Sequence, residues 1–146
     1  MTKFKLKVGI AGFGVVGKKR YHFIEENSNF KTVAISDVRF GQNTFEQSAN
    51  QLIKNKKIAV YDDYKKLFNK KLDVLDVLFV CLPNYLAPDA TIKGLNNNCH
   101  VFCEKPPGKN VKDIIDVIKV EKKHQELKLK YGFNHRYHGS IKESKN

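Results

Sequence analysis

Two hydrophobic periods take turns along this chain. Residues 5–10 alternate apolar positions with Lys5 and Lys7, and residues 74–82 (Val-Leu-Asp-Val-Leu-Phe-Val-Cys-Leu) are almost wholly apolar. The second run has the composition of a strand buried on both faces. Further strands are predicted at 32–36, 58–61, 100–103 and 127–133. Between them lie helix-like stretches at 15–26, 44–54, 64–68, 87–96 and 111–123. In the last, Val111, Ile114, Ile115 and Ile118 make a one-sided stripe at helical spacing. Asn110 stands where an N-cap would, and Asp113 falls in the first turn, where the helix dipole favours a negative charge. Strand and helix alternate from end to end, which predicts an α/β fold: a doubly wound parallel sheet in a single domain. There is no internal repeat and no low-complexity linker.

The composition narrows the class. The chain has 146 residues, 41% hydrophobic and 11% aromatic, enough for one core. A formal charge of +12 raises the question of nucleic acid. The lysines are scattered, however, with pairs such as Lys18-Lys19 and Lys65-Lys66, and no basic block interleaves with stacking aromatics. A solvated basic surface that helps an anionic ligand approach is the better reading, with no nucleic-acid partner. Cys81, Cys99 and Cys103 lack zinc-site spacing, so no metal is expected. Cys81 and Cys103 lie in apolar strand patterns, where cysteine packs as a small hydrophobe. Glycines interrupt the apolar N-terminal run and Lys18-Lys19-Arg20 follows it, unlike a signal peptide. No stretch is long enough to span a membrane. The chain reads as cytoplasmic, reduced and without a membrane partner.

The candidate chemistry begins where the first strand ends, in Gly12-x-Gly14-x-x-Gly17. Glycines in a strand–turn–helix context mark a dinucleotide site. Gly12 would make the tight turn, Gly14 would let the backbone approach a pyrophosphate, and Gly17 would let the helix lie close on the strand. The pyrophosphate would rest on free N–H groups at the helix start. Phe13, Val15 and Val16 would contribute backbone, their side chains mattering little. Asp37 ends the second strand, twenty residues after Gly17, the offset expected of a ribose-binding acid. Its charge would oppose a 2′-phosphate, whereas Arg39 could stack on adenine or meet that phosphate. NAD is therefore the expected cofactor, with NADP open. Read blandly, Asp37 only ends a strand in a turn. Ligands of such sheets bind beyond the carboxyl ends of the strands. That brings 12–17, 37–39, 82–85 and 104–107 to one crevice. Leu82, Pro83 and Asn84 would cover the adenine-ribose and pyrophosphate region, besides forming an ordinary turn. Glu104-Lys105, taken alone, reads as a surface ion pair.

Glu104-Lys105-Pro106 after an apolar strand, the glycine fingerprint, Cys81-Leu82-Pro83-Asn84 and Gly132-Phe133-Asn134-His135-Arg136-Tyr137 occur together and in order. In this the chain resembles the glucose–fructose oxidoreductase / inositol dehydrogenase (Gfo/Idh/MocA) family over almost its entire length. The wording of 101–108 and 131–138 is similar to the branch acting on nucleotide-linked or other activated sugars. The resemblance implies a nicotinamide cofactor and hydride transfer at a sugar or cyclitol carbinol. It implies Lys105 as the catalytic ammonium at that oxygen, Glu104 near the nicotinamide ribose, and a cis bond before Pro106 or Pro107, Lys105–Pro106 ahead of the other. It also implies that 1–133 form the NAD(P)-binding unit and 134–146 begin the connection to a second α/β domain. In the family that domain carries substrate contacts, often a catalytic histidine, and the subunit interface of a homo-oligomer. His135 and His138 are not that histidine, and Ala87 stands where the family often has one more. On this reading the chain alone binds dinucleotide and turns over little substrate. The competing reading is a stand-alone dinucleotide-binding or sensing module that complements another chain. A third is a basic interaction protein that has lost its ligand.

Overall fold

In the computed structural model, which describes residues 4–53, 57–69 and 74–143, six stretches pair as strands. They are β1 (Leu6–Ala11), β2 (Phe30–Ser36), β3 (Ala59–Tyr61), β4 (Val77–Val80), β5 (His100–Cys103) and β6 (Leu129–Tyr131). Every pairing is parallel and the order is β3-β2-β1-β4-β5-β6. This is the doubly wound order, whose topological switch point lies between β1 and β4. Helices α1 (Val15–Glu26), α2 (Asn43–Ile53), α3 (Ala87–Asn96), α4 (Val111–Glu121) and α5 (Gly139–Glu143) connect or follow the strands, with 3₁₀ turns at Tyr64–Phe68 and Asn134–Tyr137.

The sheet separates two cores. Val8, Ile10 and Ile35 pack with Tyr21 and Ile24 of α1 and with Phe45 and Ala49 of α2. Ala11, Leu78, Val80 and Val101 pack with Ala90 and Leu95 of α3 and with Leu67. Cys99 and Cys103 are buried, Cys81 half-buried, and all three are free thiols. Burial pushes Cys81 and Cys99 up to about 12 and Cys103 up to about 11, so they pack rather than react. Among the described residues no helix is long and apolar enough to cross a membrane, and no group of three His, Cys, Asp or Glu side chains could hold a metal ion.

Several predicted elements shift. The apolar run 74–82 pairs only over β4; the Asp76 carboxylate accepts the Lys7 N–H at 2.7 Å before the strand begins. The helix predicted at 44–54 runs one residue earlier, and Lys54 lies outside the described residues. Residues 64–68 are 3₁₀, capped by Asp63. The capping of α4 is as expected, Asn110 Oδ1 accepting the Asp113 N–H at 3.0 Å. Its stripe is not: Val117 is the buried residue, while Val111, Ile115 and Ile118 are exposed. The helix packs mainly against α3, and so buries a narrower face than its apolar pattern offers.

Candidate functional site

The turn after β1 shows which glycines the fold itself requires. Gly12 has φ +91°, and a Cβ there would lie 2.5 Å from the Cys81 carbonyl oxygen. A Cβ on Gly17 would overlap the Gly12 carbonyl oxygen, so α1 can lie on the β1 turn only if residue 17 has no side chain. Gly14 differs. A Cβ there would meet only Arg39 Nη2, at an ordinary 3.5 Å. Among the described residues nothing demands glycine at 14, and the space before it opens onto a cleft. No side chain caps α1, and its ladder starts with the Lys18 N–H donating to the Gly14 carbonyl at 2.9 Å. Free N–H groups at an uncapped helix start suit an anion. Val15 and Val16 are exposed there.

Phe13 departs from the expectation that its side chain matters little. It is fully buried, edge-on to Tyr21 and stacked with Phe40 at centroid distances of 5.7 and 6.4 Å. Its N–H donates to Asp37 Oδ2 at 2.8 Å, so it holds the acid in place rather than waiting for a phosphate. An aromatic between two fingerprint glycines was the available signal.

Asp37 does more than end β2. Its carboxylate also receives the Arg39 N–H at 3.1 Å and the Arg39 fork, Nε at 2.8 Å and Nη2 at 2.9 Å. Burial pushes the Asp37 carboxyl up, but the hydrogen bonds from Arg39 and Phe13 and the Arg39 charge outweigh it, and the group stays below the usual aspartate value. The guanidinium rests 4.1 Å from the centroid of the Phe45 ring.

A cleft of about 440 Å³ opens at the β1/β4 switch point, lined by Gly12, Gly14, Val15, Val16, residues 37–39, and Cys81, Leu82, Pro83, Tyr85 and Leu86. Three of the four expected segments therefore converge. Within the turn, Leu82, Pro83 and Tyr85 line the cleft as expected; Asn84 does not, and Leu86 does. Residues 104–107 do not border this cleft. Glu104 pairs with Arg20 of α1, whose Nε donates to Oε1 at 2.6 Å, and not with Lys105. The Arg20 guanidinium lies 4.9 Å from the Phe102 ring centroid, and Glu104 Oε2 occupies space that a Cβ on Gly132 would take. Arg20 carried no signal beyond lying three residues after Gly17. The Lys105–Pro106 bond is cis, and Lys105 is exposed beside it. His135 and His138 are exposed, their rings stacked at 5.0 Å.

Residues 6–133 match the sequence pattern of an oxidoreductase family with an NAD-binding Rossmann fold. The chain belongs to the Gfo/Idh/MocA oxidoreductase family. It is 33% identical to inositol 2-dehydrogenase of Salmonella typhimurium over 97% of this chain and 40% of that protein. D-glucoside 3-dehydrogenase of Escherichia coli is 30% identical over 94% of this chain and 37% of its own. Among solved structures, scyllo-inositol dehydrogenase of Lactobacillus casei with bound NAD(H) and scyllo-inositol superposes with a TM-score of 0.81 at 25% identity, covering 97% of this chain and 40% of that one. The chain thus spans about 40% of the length of the inositol dehydrogenases it matches.

In this Gfo/Idh/MocA member the Asp37 pair also ties stability to pH. A carboxyl held below its usual 3.8 in the fold stabilises fully above that value, and the contribution is lost as pH falls toward the lower, folded value. Asp37→Asn is expected to be less stable than the parent at pH 7, with the difference shrinking below about pH 4. Denaturant melts at both pH values check this; a gap that does not shrink contradicts it.

Proposed function

We propose that the chain binds NAD(H) across the β1/β4 switch point and forms the cofactor side of an enzyme that oxidises or reduces a carbinol carbon of a sugar or cyclitol. One observation carries the reading: Gly14 is a glycine the fold does not require, set before the uncapped start of α1. In it, the N–H groups of 15–17 hold the pyrophosphate, with Gly12 and Gly17 shaping the turn and Val15 and Val16 flanking it. Asp37 and Arg39 face the adenosine ribose, and Leu82, Pro83 and Tyr85 cover that end. When bound, the nicotinamide supplies the hydride acceptor or donor. The carbinol oxygen loses or gains a proton as the hydride moves, so it needs a positioned partner, and Lys105, two residues beyond the carboxyl end of β5, is the residue assigned to it. Glu104, anchored by Arg20, fixes the backbone from which Lys105 projects.

The exposed run 134–140 leaves the sheet after β6, which supports 1–133 as the dinucleotide-binding unit and 134–146 as the connection onward. Polyhydroxylated rings are the substrate class the family membership favours, with nucleotide-linked sugars a narrower possibility. A homo-oligomer belongs to the same proposal. The second reading, a binding module without turnover, is favoured by the exposure of Lys105, because an uncovered lysine neither fixes a sugar nor excludes water.

The test is an NADH fluorescence titration together with turnover on inositols, glucosides and nucleotide sugars. Lys105→Ala is expected to leave the NADH dissociation constant within about twofold and to lower any turnover by about 100-fold or more, the usual weight of a proton-transfer group. Tight NADH binding with background turnover across the panel supports the module. Failure to bind NADH removes both readings.

A further inference from the structure

The Asp37 carboxylate is fully engaged within the chain. Two oxygens offer about four acceptor sites, and four donors fill them: the Phe13 N–H, the Arg39 N–H, Arg39 Nε and Arg39 Nη2. Two of these are backbone groups fixed by the turns. The other two belong to the guanidinium, whose side chain is 42% exposed and which rests on Phe45 at the rim of the cleft. A ribose diol can reach the carboxylate only by displacing the guanidinium. Lys18 Nζ lies 5.2 Å from the same Phe45 ring.

Resting on the dinucleotide reading above, we propose that Arg39 sets the choice between NAD and NADP: closed on Asp37 it withholds the acid from the ribose hydroxyls, and opened it offers a guanidinium to a 2′-phosphate. An unpaired acid at this position opposes the 2′-phosphate by charge. Here the charge is cancelled by a residue whose fork matches phosphate geometry. The chain therefore accepts both cofactors, with NADH only modestly ahead.

The experiment compares dissociation constants for NADH and NADPH in the parent and in Arg39→Met. Methionine keeps an apolar stem over Phe45 and removes the fork, while Asp37 keeps both backbone donors, so the fold is expected to hold; a melting curve checks it. The parent is expected to bind NADPH within about tenfold of NADH. In Arg39→Met, NADPH weakens and NADH holds or tightens, widening the ratio by about tenfold or more, the worth of one charge-assisted hydrogen bond. Arg39→Lys, which keeps the charge without the fork, should give a ratio between the two. A ratio that does not move in folded Arg39→Met, or a parent that already rejects NADPH about a thousandfold, overturns the inference and leaves NAD binding standing. A parent that binds neither nucleotide removes the dinucleotide reading itself.

Discussion

A Gly14→Val variant is expected to fold as the parent does and to bind NADH at least about 100-fold more weakly. Both halves follow from the same geometry. The first atom of a side chain at 14 meets only the tip of Arg39, at 3.5 Å, and that tip is a flexible, partly exposed fork. The branched valine then extends into the space before the uncapped start of α1. A pyrophosphate held there by helix N–H groups cannot approach past it. Losing two charge-assisted hydrogen bonds, at about 1.5–3 kcal/mol each, corresponds to about 100-fold or more. Fluorescence titration beside a thermal melt separates the two effects. A folded Gly14→Val that binds NADH as the parent does would place the phosphate site elsewhere.

The neighbouring glycine should behave in the opposite way. Gly17→Ala is expected to lower stability by about 3 kcal/mol, the upper end for forcing atoms into a packed site. For a chain of this size that is roughly a 10 °C fall in melting midpoint. The added methyl would overlap the Gly12 carbonyl oxygen. Neither side can yield cheaply, because Gly12 is held by its N–H to the Ser36 carbonyl at 2.8 Å and α1 packs its buried Tyr21 and Ile24 into the core. NADH affinity of the folded fraction should fall as well, because the N–H groups of 15–17 shift with α1 when it is pushed off the Gly12 carbonyl. A variant melting within about 2 °C of the parent would mean that α1 can slide off the turn, and that the close approach is not required.

Much of this site was legible before any coordinates. Gly12 and Asp37 stand at strand ends that the apolar runs 5–10 and 32–36 already marked, and strand ends are where a parallel sheet exposes its ligands. The turn at 82–85 was legible for the same reason: Leu82, Pro83 and Tyr85 line the cleft, while Leu86 takes the place expected of Asn84, since a turn's position does not say which of its residues face inward. Phe13 was misread because a fingerprint specifies the backbone and says nothing of where the intervening side chain goes. The α4 stripe was legible as a pattern but not its burial: Val111, Ile115 and Ile118 stay exposed, since an apolar face is buried only if a neighbour covers it.

The sequence by itself determined the alternation of strand and helix, the glycine turn, the acid at the end of β2 and the family. These depend on local periods and on backbone conformations open to one or two residue types. Only the tertiary structure decided the partners. The Phe13 N–H donates to the Asp37 carboxylate across 24 positions of the chain, and Glu104 pairs with Arg20 across 84. Charged side chains pair with whatever the packing of separate elements brings within about 3 Å. No local period encodes that distance.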